Sequence, residues 1–343
     1  MKIIIPVVGF SRSGGERVLS KIASELVDLG CDVSFVVLDN KGDPYYPTKA
    51  KIKKVRAKNK GLKLFKVLSN IYNLIMACRK ENADVIISGL NVTAYLALFI
   101  NAKIKKVYYI QAYEVLFYKS IVMKTIVYMT YKLPLQKIVN SSNLLPSNIN
   151  KYIGIIPAGV DTTLFHLEIK TNKNIKKIGI IGRKEKHKGT IDIIKIITKI
   201  PKDKEFILNI AVYLDDECKC ILRENNISYE YFPIESDDDL ACFYRKNDLL
   251  IACGLIEDGA FHYPCAEGMA SGCIVISNYS PLCELESNFK IDTFNEKELL
   301  DKIEYYYSLN DDEIKKEINS NVEKISEFSW DIIGNDFYKL INK

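Results

Sequence analysis

Short apolar, β-branched runs alternate with stretches of helical periodicity along most of the chain. In the first half, the runs KIIIPVV, DVSFVVLD, DVIISG and KVYYIQA predict strands, with helices at about residues 16–29, 63–80 and 91–99. Strands that are separated by helices form parallel sheets, because each parallel connection has to cross back over the sheet. The pattern therefore predicts a parallel α/β sheet in the first half.

The same alternation starts again after a break near residues 157–175. The runs KKIGIIG, EFILNIAVY, SYEYFPI, DLLIACG and CIVISN predict strands, separated by helices at about residues 189–199, 215–225 and 237–246. The final stretch from residue 311 is helical in pattern and long enough to return to the first half. We therefore expect an α/β protein with a domain over 1–160, a second over 161–325, and a C-terminal helix over 326–343 that crosses back.

Length and composition agree with two domains. The chain has 343 residues, 48% of them hydrophobic, which exceeds the length at which single cores usually stop growing. The nine cysteines are odd in number and contain no CxxC motif, which is typical of reduced thiols in a cytoplasmic protein. Cys218 and Cys220 form the one close pair, but no zinc-type partner set accompanies them, so we expect no metal.

The sequence predicts no signal peptide and no transmembrane span. The apolar run at the N-terminus is too short for a signal peptide. The longest apolar stretch, VLFYKSIVMKTIVYMTYKLPL, is interrupted by Lys119, Lys124 and Lys132, which are costly in hydrocarbon. These features favour a cytoplasmic location.

Charge is distributed unevenly between the two halves. Residues 1–150 contain 23 Lys and Arg against 9 Asp and Glu, a net charge of +14. The densest basic segment, Lys49 to Lys66, has nine basic residues and no acid. It is interpreted either as a solvated face or flexible loop, or as a surface for anionic lipid headgroups or an anionic acceptor. Nucleic acid is not expected, because the segment has no interleaved aromatics and no groove-reading motif.

Ligands of open parallel sheets bind outside the carboxyl ends of the strands. After the first strand, Gly14 and Gly15 precede a helix that opens at Glu16, where backbone N–H groups can approach a phosphate or hydroxyl. The alternative is an ordinary flexible turn. The loop is not GxGxxG, and Asp39 only loosely matches the acid of a dinucleotide fold, which argues against a nicotinamide enzyme.

Two further strand exits carry polar chemistry. In GRKEKHKG, Arg183 and Lys188 lie beside a glycine that opens a helix, so cations and free amides can converge on a pyrophosphate, unless both side chains are merely solvated. In YYIQAYEVLF, a strand runs into Gln111, Tyr113 and Glu114, which are predicted to bind sugar hydroxyls, with Glu114 as a helix cap in the alternative.

The richest strand exit is GLIEDGAFHYPCAEGMASG. Pro264 fits the first helical position and Glu267 the first helical turn, where a carboxylate is favourable in any case. Glu257, Asp258 and His262 lie in the same short segment, and few structural needs explain so many polar groups at one strand end. We therefore predict that this segment holds the sugar and ribose of a bound ligand.

Five segments in this order resemble glycosyltransferase family 4, the retaining GT-B enzymes: GGERV, IPAGVDTTLF, GRKEKHKG, YPCAEGMASGCIVIS and FSW. The pair YYIQAYEVLFY and YPCAEGMASG resembles in particular a bacterial rhamnosyltransferase branch. The resemblance implies two Rossmann-like domains with parallel sheets facing a deep cleft. It assigns the acceptor to the first domain and the nucleotide-sugar donor to the second.

The resemblance also implies roles for individual residues. Arg183 and Lys188 match the catalytic pair on the donor diphosphate, and Glu267 matches the second Glu of the E-x7-E motif, which holds the ribose. Gly14 and Gly15 match the glycine loop near the phosphates. The remaining donor-binding positions are Pro233 and Ile234, near the base, with His262 and Tyr263.

One position departs from the family pattern. Gly259 stands where the family has its first Glu, which contacts the donor sugar. Asp258 and Glu257 are the neighbouring acids that would take over this catalytic position.

These features predict a metal-independent, cofactor-free glycosyltransferase, and the resemblance implies that it retains the anomeric configuration. Its donor is expected to be a UDP-, dTDP- or GDP-sugar, with dTDP-rhamnose among the candidates. A glycan or lipid-linked acceptor of cell-surface polysaccharide synthesis would suit the basic first half, on the inner face of the membrane. The alternatives are a catalytically silent relative that binds nucleotide-sugar or a partner glycosyltransferase, a sugar-nucleotide epimerase, and a nicotinamide-dependent enzyme.

Overall fold

The computed structural model describes residues 1–142, 144–149, 151–168, 175–255 and 261–343. The chain divides into two compact units, each with its own parallel sheet. Unit 1 comprises Met1–Gly159 together with Trp330–Lys343, and unit 2 comprises Val160–Ser329. The prediction of an α/β chain with two parallel sheets is confirmed.

The sheet of unit 1 has seven strands in the order β3-β2-β1-β4-β5-β6-β7, with every pairing parallel. Its strands are β1 (Lys2–Pro6), β2 (Asp32–Leu38), β3 (Lys51–Val55), β4 (Val85–Ser88), β5 (Lys105–Ile110), β6 (Gln136–Val139) and β7 (Gly154–Ile155). Its helices are α1 (Gly14–Asp28), α2 (Lys63–Lys80), α3 (Asn91–Leu98), α4 (Ile121–Thr130) and α11 (Trp330–Asn342).

The helices of unit 1 pack in two groups. Helices α2 and α3 and the end of α4 share one hydrophobic core, which includes Leu74, Ala94 and Tyr131. Helix α11 packs on α1, and a Cβ at Gly334 would lie 2.3 Å from the Cβ of Glu25. This closeness explains the glycine at that position, because no larger residue fits between the two helices.

The sheet of unit 2 has five parallel strands in the order β10-β9-β8-β11-β12. These are β8 (Lys176–Ile181), β9 (Phe206–Ala211), β10 (Tyr229–Phe232), β11 (Leu249–Ile251) and β12 (Ile274–Ile276). The helices are α5 (Thr190–Ile197), α6 (Asp216–Glu224), α7 (Asp237–Lys246), α8 (Tyr263–Ala270), α9 (Glu296–Ser308) and α10 (Asp311–Ser326). Buried isoleucines dominate the central strands, as is typical of sheets covered on both faces.

The basic segment Lys49 to Lys66 is more ordered than a flexible loop. Part of it forms the edge strand β3, and its last residues begin α2. Four of its lysines form ion pairs with acids of unit 1: Lys49 with Asp28, Lys51 with Asp32, Lys53 with Glu81 and Lys54 with Asp43. The flexible-loop interpretation is therefore wrong for β3, and about half of the positive charge is already neutralised locally.

Among the helices of the described ranges, none combines the length and the apolar composition of a membrane-spanning segment. All nine cysteines are free. Cys218 is buried on α6 and Cys220 is exposed on the same helix. Within the described ranges, no group of three His, Cys, Asp or Glu side chains is arranged to hold a metal.

Candidate functional site

The carboxyl ends of β8, β11 and β12 lie side by side in the sheet of unit 2. Asn278, just after β12, ties two of these ends together. Its Oδ1 accepts a hydrogen bond from Gly254 N at 3.1 Å, and its Nδ2 donates to Gly254 O at 2.8 Å. The strand ends thus form one fixed edge, which is where ligands of open parallel sheets bind.

The loop after β8 fixes Arg183 at the start of α5. Thr190, the first residue of α5, uses its hydroxyl to accept from Arg183 N at 2.8 Å and to donate to Arg183 O at 3.0 Å. A short 3-10 turn over Lys186–Lys188 then ends at Gly189, whose φ of 70° favours glycine. The loop therefore places Arg183 and Lys188 at the N-terminal end of a helix, where positive charge and free N–H groups attract anions.

A strained turn supports this loop from the neighbouring strand β9. Val212 has a φ of 74°, and Tyr213 N donates to Ala211 O at 2.9 Å, which makes a γ-turn centred on a β-branched residue. The turn projects Tyr213 O towards Gly182, where an added Cβ would lie only 1.8 Å away. A strained backbone of this kind persists only where the surrounding structure holds it in place. It occurs often at active sites and ligand-binding sites.

Lys188 and His262 meet at the buried ring of Tyr279. The Lys188 Nζ lies 4.9 Å from the centre of that ring, and the His262 ring lies 4.4 Å from it. Burial lowers the pKa of His262 well below its ordinary value, and the positive charges of Lys188 and Arg183 lower it further. His262 is therefore a neutral imidazole at physiological pH, and its buried Nδ1 has no hydrogen-bond partner among the described residues.

Glu267 is a buried carboxylate in the same unit, with 1% of its surface exposed. It is the fifth residue of α8 rather than part of the first turn, so the helix dipole does not account for it. The Tyr244 hydroxyl donates to Glu267 Oε2 at 3.2 Å. Burial and the charge of Glu267 raise the pKa of Tyr244, whereas the charge of Arg183 opposes the rise.

The arrangement brings most of the predicted donor-site residues of unit 2 together. Arg183, Lys188, His262 and Glu267 lie at one edge of the sheet, and Arg183 is close enough to influence both Tyr244 and His262 electrostatically. Neither Arg183 nor Lys188 forms an ion pair with any described residue. Two unpaired cations beside a neutral imidazole and a buried carboxylate suit an anionic ligand that also carries hydroxyl groups.

The other predicted donor positions lie at the margins of this cluster. Pro233 and Ile234 follow the edge strand β10, two strands away from β8. Tyr263 begins α8, and its ring packs against Phe261 at 5.5 Å. Glu257 and Asp258, the predicted contacts with the donor sugar, lie outside the described residues, as does Gly259, which departs from the family pattern.

The predicted glycine loop of unit 1 opens α1. Ser13 caps the helix by accepting from Glu16 N, and the Glu16 carboxylate accepts from Ser11 N and Ser11 Oγ. Gln111 Nε2 donates to Gly15 O at 3.2 Å, which joins the exit of β5 to this helix start. The Glu16 carboxylate thus holds the loop before α1 in place, and Gly14 and Gly15 open the helix.

Glu114 lies in the core of unit 1 rather than on an accessible surface. Its Oε2 accepts from Asn91 N at 2.7 Å and from Asn91 Nδ2 at 2.6 Å, and Tyr108 OH donates to its Oε1 at 2.6 Å. Asn91 is the first residue of α3, so Glu114 satisfies the start of that helix. Glu114 thus caps α3, an earlier helix, rather than the segment that follows it, and its burial leaves it out of reach of a sugar. Burial also raises the pKa of Glu114. Tyr113, stacked on Tyr131 at 5.8 Å, is only half-buried.

Sequence reasoning missed Tyr244, Tyr279 and Val212. Tyr279 was open to detection, because it follows a predicted strand by position. Tyr244 lies on the buried face of α7, where an apolar pattern conceals the hydroxyl. The positive φ of Val212 could not be predicted, because β-branched residues rarely adopt this conformation.

No family model matches this chain, and no curated protein matches it. Solved structures do. A glycosyltransferase from Rickettsia africae ESF-5 is 18% identical with a TM-score of 0.75, covering 99% of this chain and 97% of its own. Sucrose-phosphate synthase from Thermosynechococcus elongatus is 15% identical with a TM-score of 0.77, covering 100% and 98%. Anabaena HepE in complex with UDP and glucose is 15% identical with a TM-score of 0.72, covering 100% and 99%. At this identity the likeness shows the fold, which is GT-B.

Proposed function

We propose that the chain is a glycosyltransferase that moves a sugar from a nucleotide-sugar donor to a glycan or lipid-linked acceptor. The proposal rests on one observation. Two cationic side chains without ion-pair partners among the described residues, Arg183 and Lys188, lie at the start of α5, in the same cluster as the buried carboxylate Glu267. The similarity in fold to a glycosyltransferase and to HepE, which binds UDP and glucose, supports a nucleotide-sugar as the ligand.

The proposed chemistry follows from where charge develops. Breaking the anomeric bond leaves negative charge on the nucleoside diphosphate, so Arg183, Lys188 and the N-terminal amides of α5 stabilise the transition state more than the ground state. Metal-independent transfer is part of the proposal, because the two side chains supply the positive charge themselves. Retention of the anomeric configuration is proposed from the resemblance to family 4.

The donor is proposed to extend along the edge of the sheet of unit 2. Glu267, held by Tyr244, accepts the ribose hydroxyls, and the base lies near Pro233 and Ile234. The free Nδ1 of the neutral His262 is available to a donor hydroxyl, with Tyr263 beside it. We propose that Asp258 or Glu257 contacts the donor sugar, since Gly259 removes the family's carboxylate.

The acceptor is proposed to bind unit 1, with Gln111 and the half-buried Tyr113 as its contacts. Gly14 and Gly15 are proposed to lie near the donor phosphates. We propose that the enzyme belongs to the rhamnosyltransferase branch of glycosyltransferase family 4. Its proposed role is in the synthesis of cell-surface polysaccharide.

Thermal-shift screening with UDP-, dTDP- and GDP-sugars tests the donor site, because a ligand that binds only the folded state raises the melting temperature. Arg183→Ala should weaken binding of the matching nucleoside diphosphate about ten- to a hundredfold, while nucleoside binding changes little. The matched control is Lys184→Ala, which removes the adjacent exposed charge and should leave both affinities unchanged. Equal losses for diphosphate and nucleoside would contradict the assigned role of Arg183.

A donor-hydrolysis and transfer assay separates the proposal from its alternatives. Binding without turnover of any nucleotide-sugar would favour a catalytically silent relative, which Gly259 makes the main rival. Epimerised donor in the absence of an acceptor would indicate an epimerase. Stabilisation by nicotinamide dinucleotides alone would indicate a different enzyme class.

A further inference from the structure

Helix α4 of unit 1 presents an apolar face to solvent. Ile121 and Val122 expose 75% and 63% of their surface, and Leu116 and Phe117, in the short turn before the helix, each expose 60%. Ile126 and Met129 continue this surface along α4. We call these six residues the α4 face. A contiguous exposed apolar surface of this kind marks an interaction site, because folding alone gives no reason to leave it uncovered.

The charge around the α4 face has one sign. No Asp or Glu occurs between Glu114 and Asp161, whereas Lys119, Lys124 and Lys132 lie within or beside the face. None of these three lysines forms an ion pair with a described residue. This differs from Lys49 to Lys54 on β3, whose charges are paired with acids.

Helix α4, which carries most of the α4 face, is packed on the body of unit 1. Tyr95 of α3 donates from its hydroxyl to Ile126 O at 2.7 Å, and the inner side of α4 buries Val127 and Thr130. The side of α4 that carries Val127 and Thr130 therefore faces unit 1, and the apolar α4 face points outward.

We propose that the α4 face docks onto the interface of an anionic lipid bilayer. Exposed aliphatic and aromatic side chains interspersed with lysines suit the boundary between headgroups and acyl chains, where the apolar groups insert and the lysines meet anionic headgroups. An apolar protein partner would not require a single sign of charge. With ten residues, α4 is too short to span a bilayer and is suited to lie in the interface. The proposal stands on unit 1 alone and does not depend on the donor site.

Co-sedimentation of the 343-residue chain with vesicles tests the docking. Vesicles of phosphatidylcholine with about 30% phosphatidylglycerol should bind the protein, and pure phosphatidylcholine vesicles should bind it much more weakly, with the difference shrinking as salt rises. Ile121→Ser combined with Val122→Ser should lower binding at least about tenfold, because two inserted side chains are lost. Lys119→Glu combined with Lys124→Glu should lower the affinity for anionic vesicles about fivefold or more per lysine.

The matched control is Lys58→Glu combined with Lys60→Glu, which removes equal charge from the Lys49 to Lys66 segment and should bind like the unmodified protein. Unchanged melting temperatures show that the variants are folded, as expected from exposed positions. Three results would overturn the proposal: equal binding to both vesicle types, equal loss in the control, or no effect of the α4 substitutions. The molecular mass in solution, measured without vesicles, tests a second copy of the chain as the occupant instead. A dimeric mass for the unmodified protein and a monomeric mass for the Ile121→Ser, Val122→Ser variant would assign the α4 face to a dimer interface.

Discussion

Gly182 holds the loop after β8 against the γ-turn at Val212. An added methyl group at this position would lie 1.8 Å from Tyr213 O, which is a backbone atom and cannot rotate away. Gly182→Ala is therefore expected to lower the free energy of unfolding by at least about 2 kcal/mol, measured by urea denaturation. Because Arg183 follows directly, we also expect the variant to lose nucleoside diphosphate binding.

Gly15→Ala is the control for this prediction. A Cβ at Gly15 would meet Gln111 Oε1 at 3.5 Å, which is an ordinary contact, and Gly15 lies in a helix, where alanine is favoured. Its unfolding free energy should stay the same or rise slightly. If the two alanine variants were equally stable, the close packing around Gly182 would not be the reason for a glycine there.

Glu114 makes the stability of unit 1 depend on pH. Burial raises its pKa above the ordinary value of 4.5, so the carboxyl group resists ionisation in the folded state. Its contribution to stability is then fully present below about pH 4.5 and is lost as the pH rises through the raised pKa. Glu114→Gln should remove this loss, so that the variant gains stability relative to the unmodified protein over the range from about pH 4.5 upward.

The amide introduced by Glu114→Gln fits the existing partners, since its oxygen can accept from Asn91 and the Tyr108 hydroxyl can rotate to accept from its NH2 group. Glu114→Ala is the comparison, because it leaves buried donors unpaired and should destabilise by about 2 kcal/mol at every pH. Urea unfolding at several pH values measures both variants. A constant difference between Glu114→Gln and the unmodified protein across this range would show that the carboxyl titrates normally.

At the scale of elements, hydrophobic periodicity predicts the central strands and most helices correctly. Helices α2 and α7 coincide with their predicted limits, because an apolar stripe and, for α7, the Ser236 capping box mark them in the sequence. The strands β3, β6 and β7 carry no such mark. They lie at or near the edges of the sheet, where lysines are tolerated and two to five residues suffice, so tertiary pairing rather than pattern determines them.

The last predicted helical stretch, from residue 311, forms two helices. Helix α10 ends at Ser326 and α11 starts at Trp330, and the break lies where the chain passes from unit 2 to unit 1. The C-terminal helix expected from residue 326 begins at Trp330, because the helical pattern does not show at which residue the packing partner changes. Strand exits are more informative, because Arg183, Lys188 and Glu267 all follow from the position of polar residues after predicted strands.

At the scale of the whole molecule, the basic surplus of the first half has two different origins. On β3 the lysines serve the fold, as charges on an edge strand that pair with neighbouring acids. Around α4 they remain unpaired, among the described residues, beside exposed apolar side chains. Net charge alone does not distinguish paired lysines from unpaired ones. The sequence therefore indicates Lys49 to Lys66, which has the most lysines, as the anion-binding surface, whereas the lysines around α4 have no ion-pair partner in the described part of the chain.

The chain leaves unit 1 after Gly159 and returns to it at Trp330, so unit 1 is complete only when the C-terminal helix has packed. Phe337 of α11 is fully buried, and its ring meets Tyr109 of β5 edge-on at 5.3 Å. Phe337→Ala should therefore lower the free energy of unfolding by about 3–5 kcal/mol. Hydrogen exchange should show lost protection in β1, β4 and β5, with the strands of unit 2 unaffected.

Ile332→Ala on the same helix provides the control, because Ile332 exposes 41% of its surface and its truncation should change stability by no more than about 0.5 kcal/mol. Two outcomes would contradict the assignment of α11 to unit 1. One is equal stability of the two variants, and the other is loss of protection in β8, β9 and β11 to the same extent as in β1. Since Phe337 packs on the strand that leads into Gln111 and Tyr113, its loss should also disturb the proposed acceptor side before the donor side.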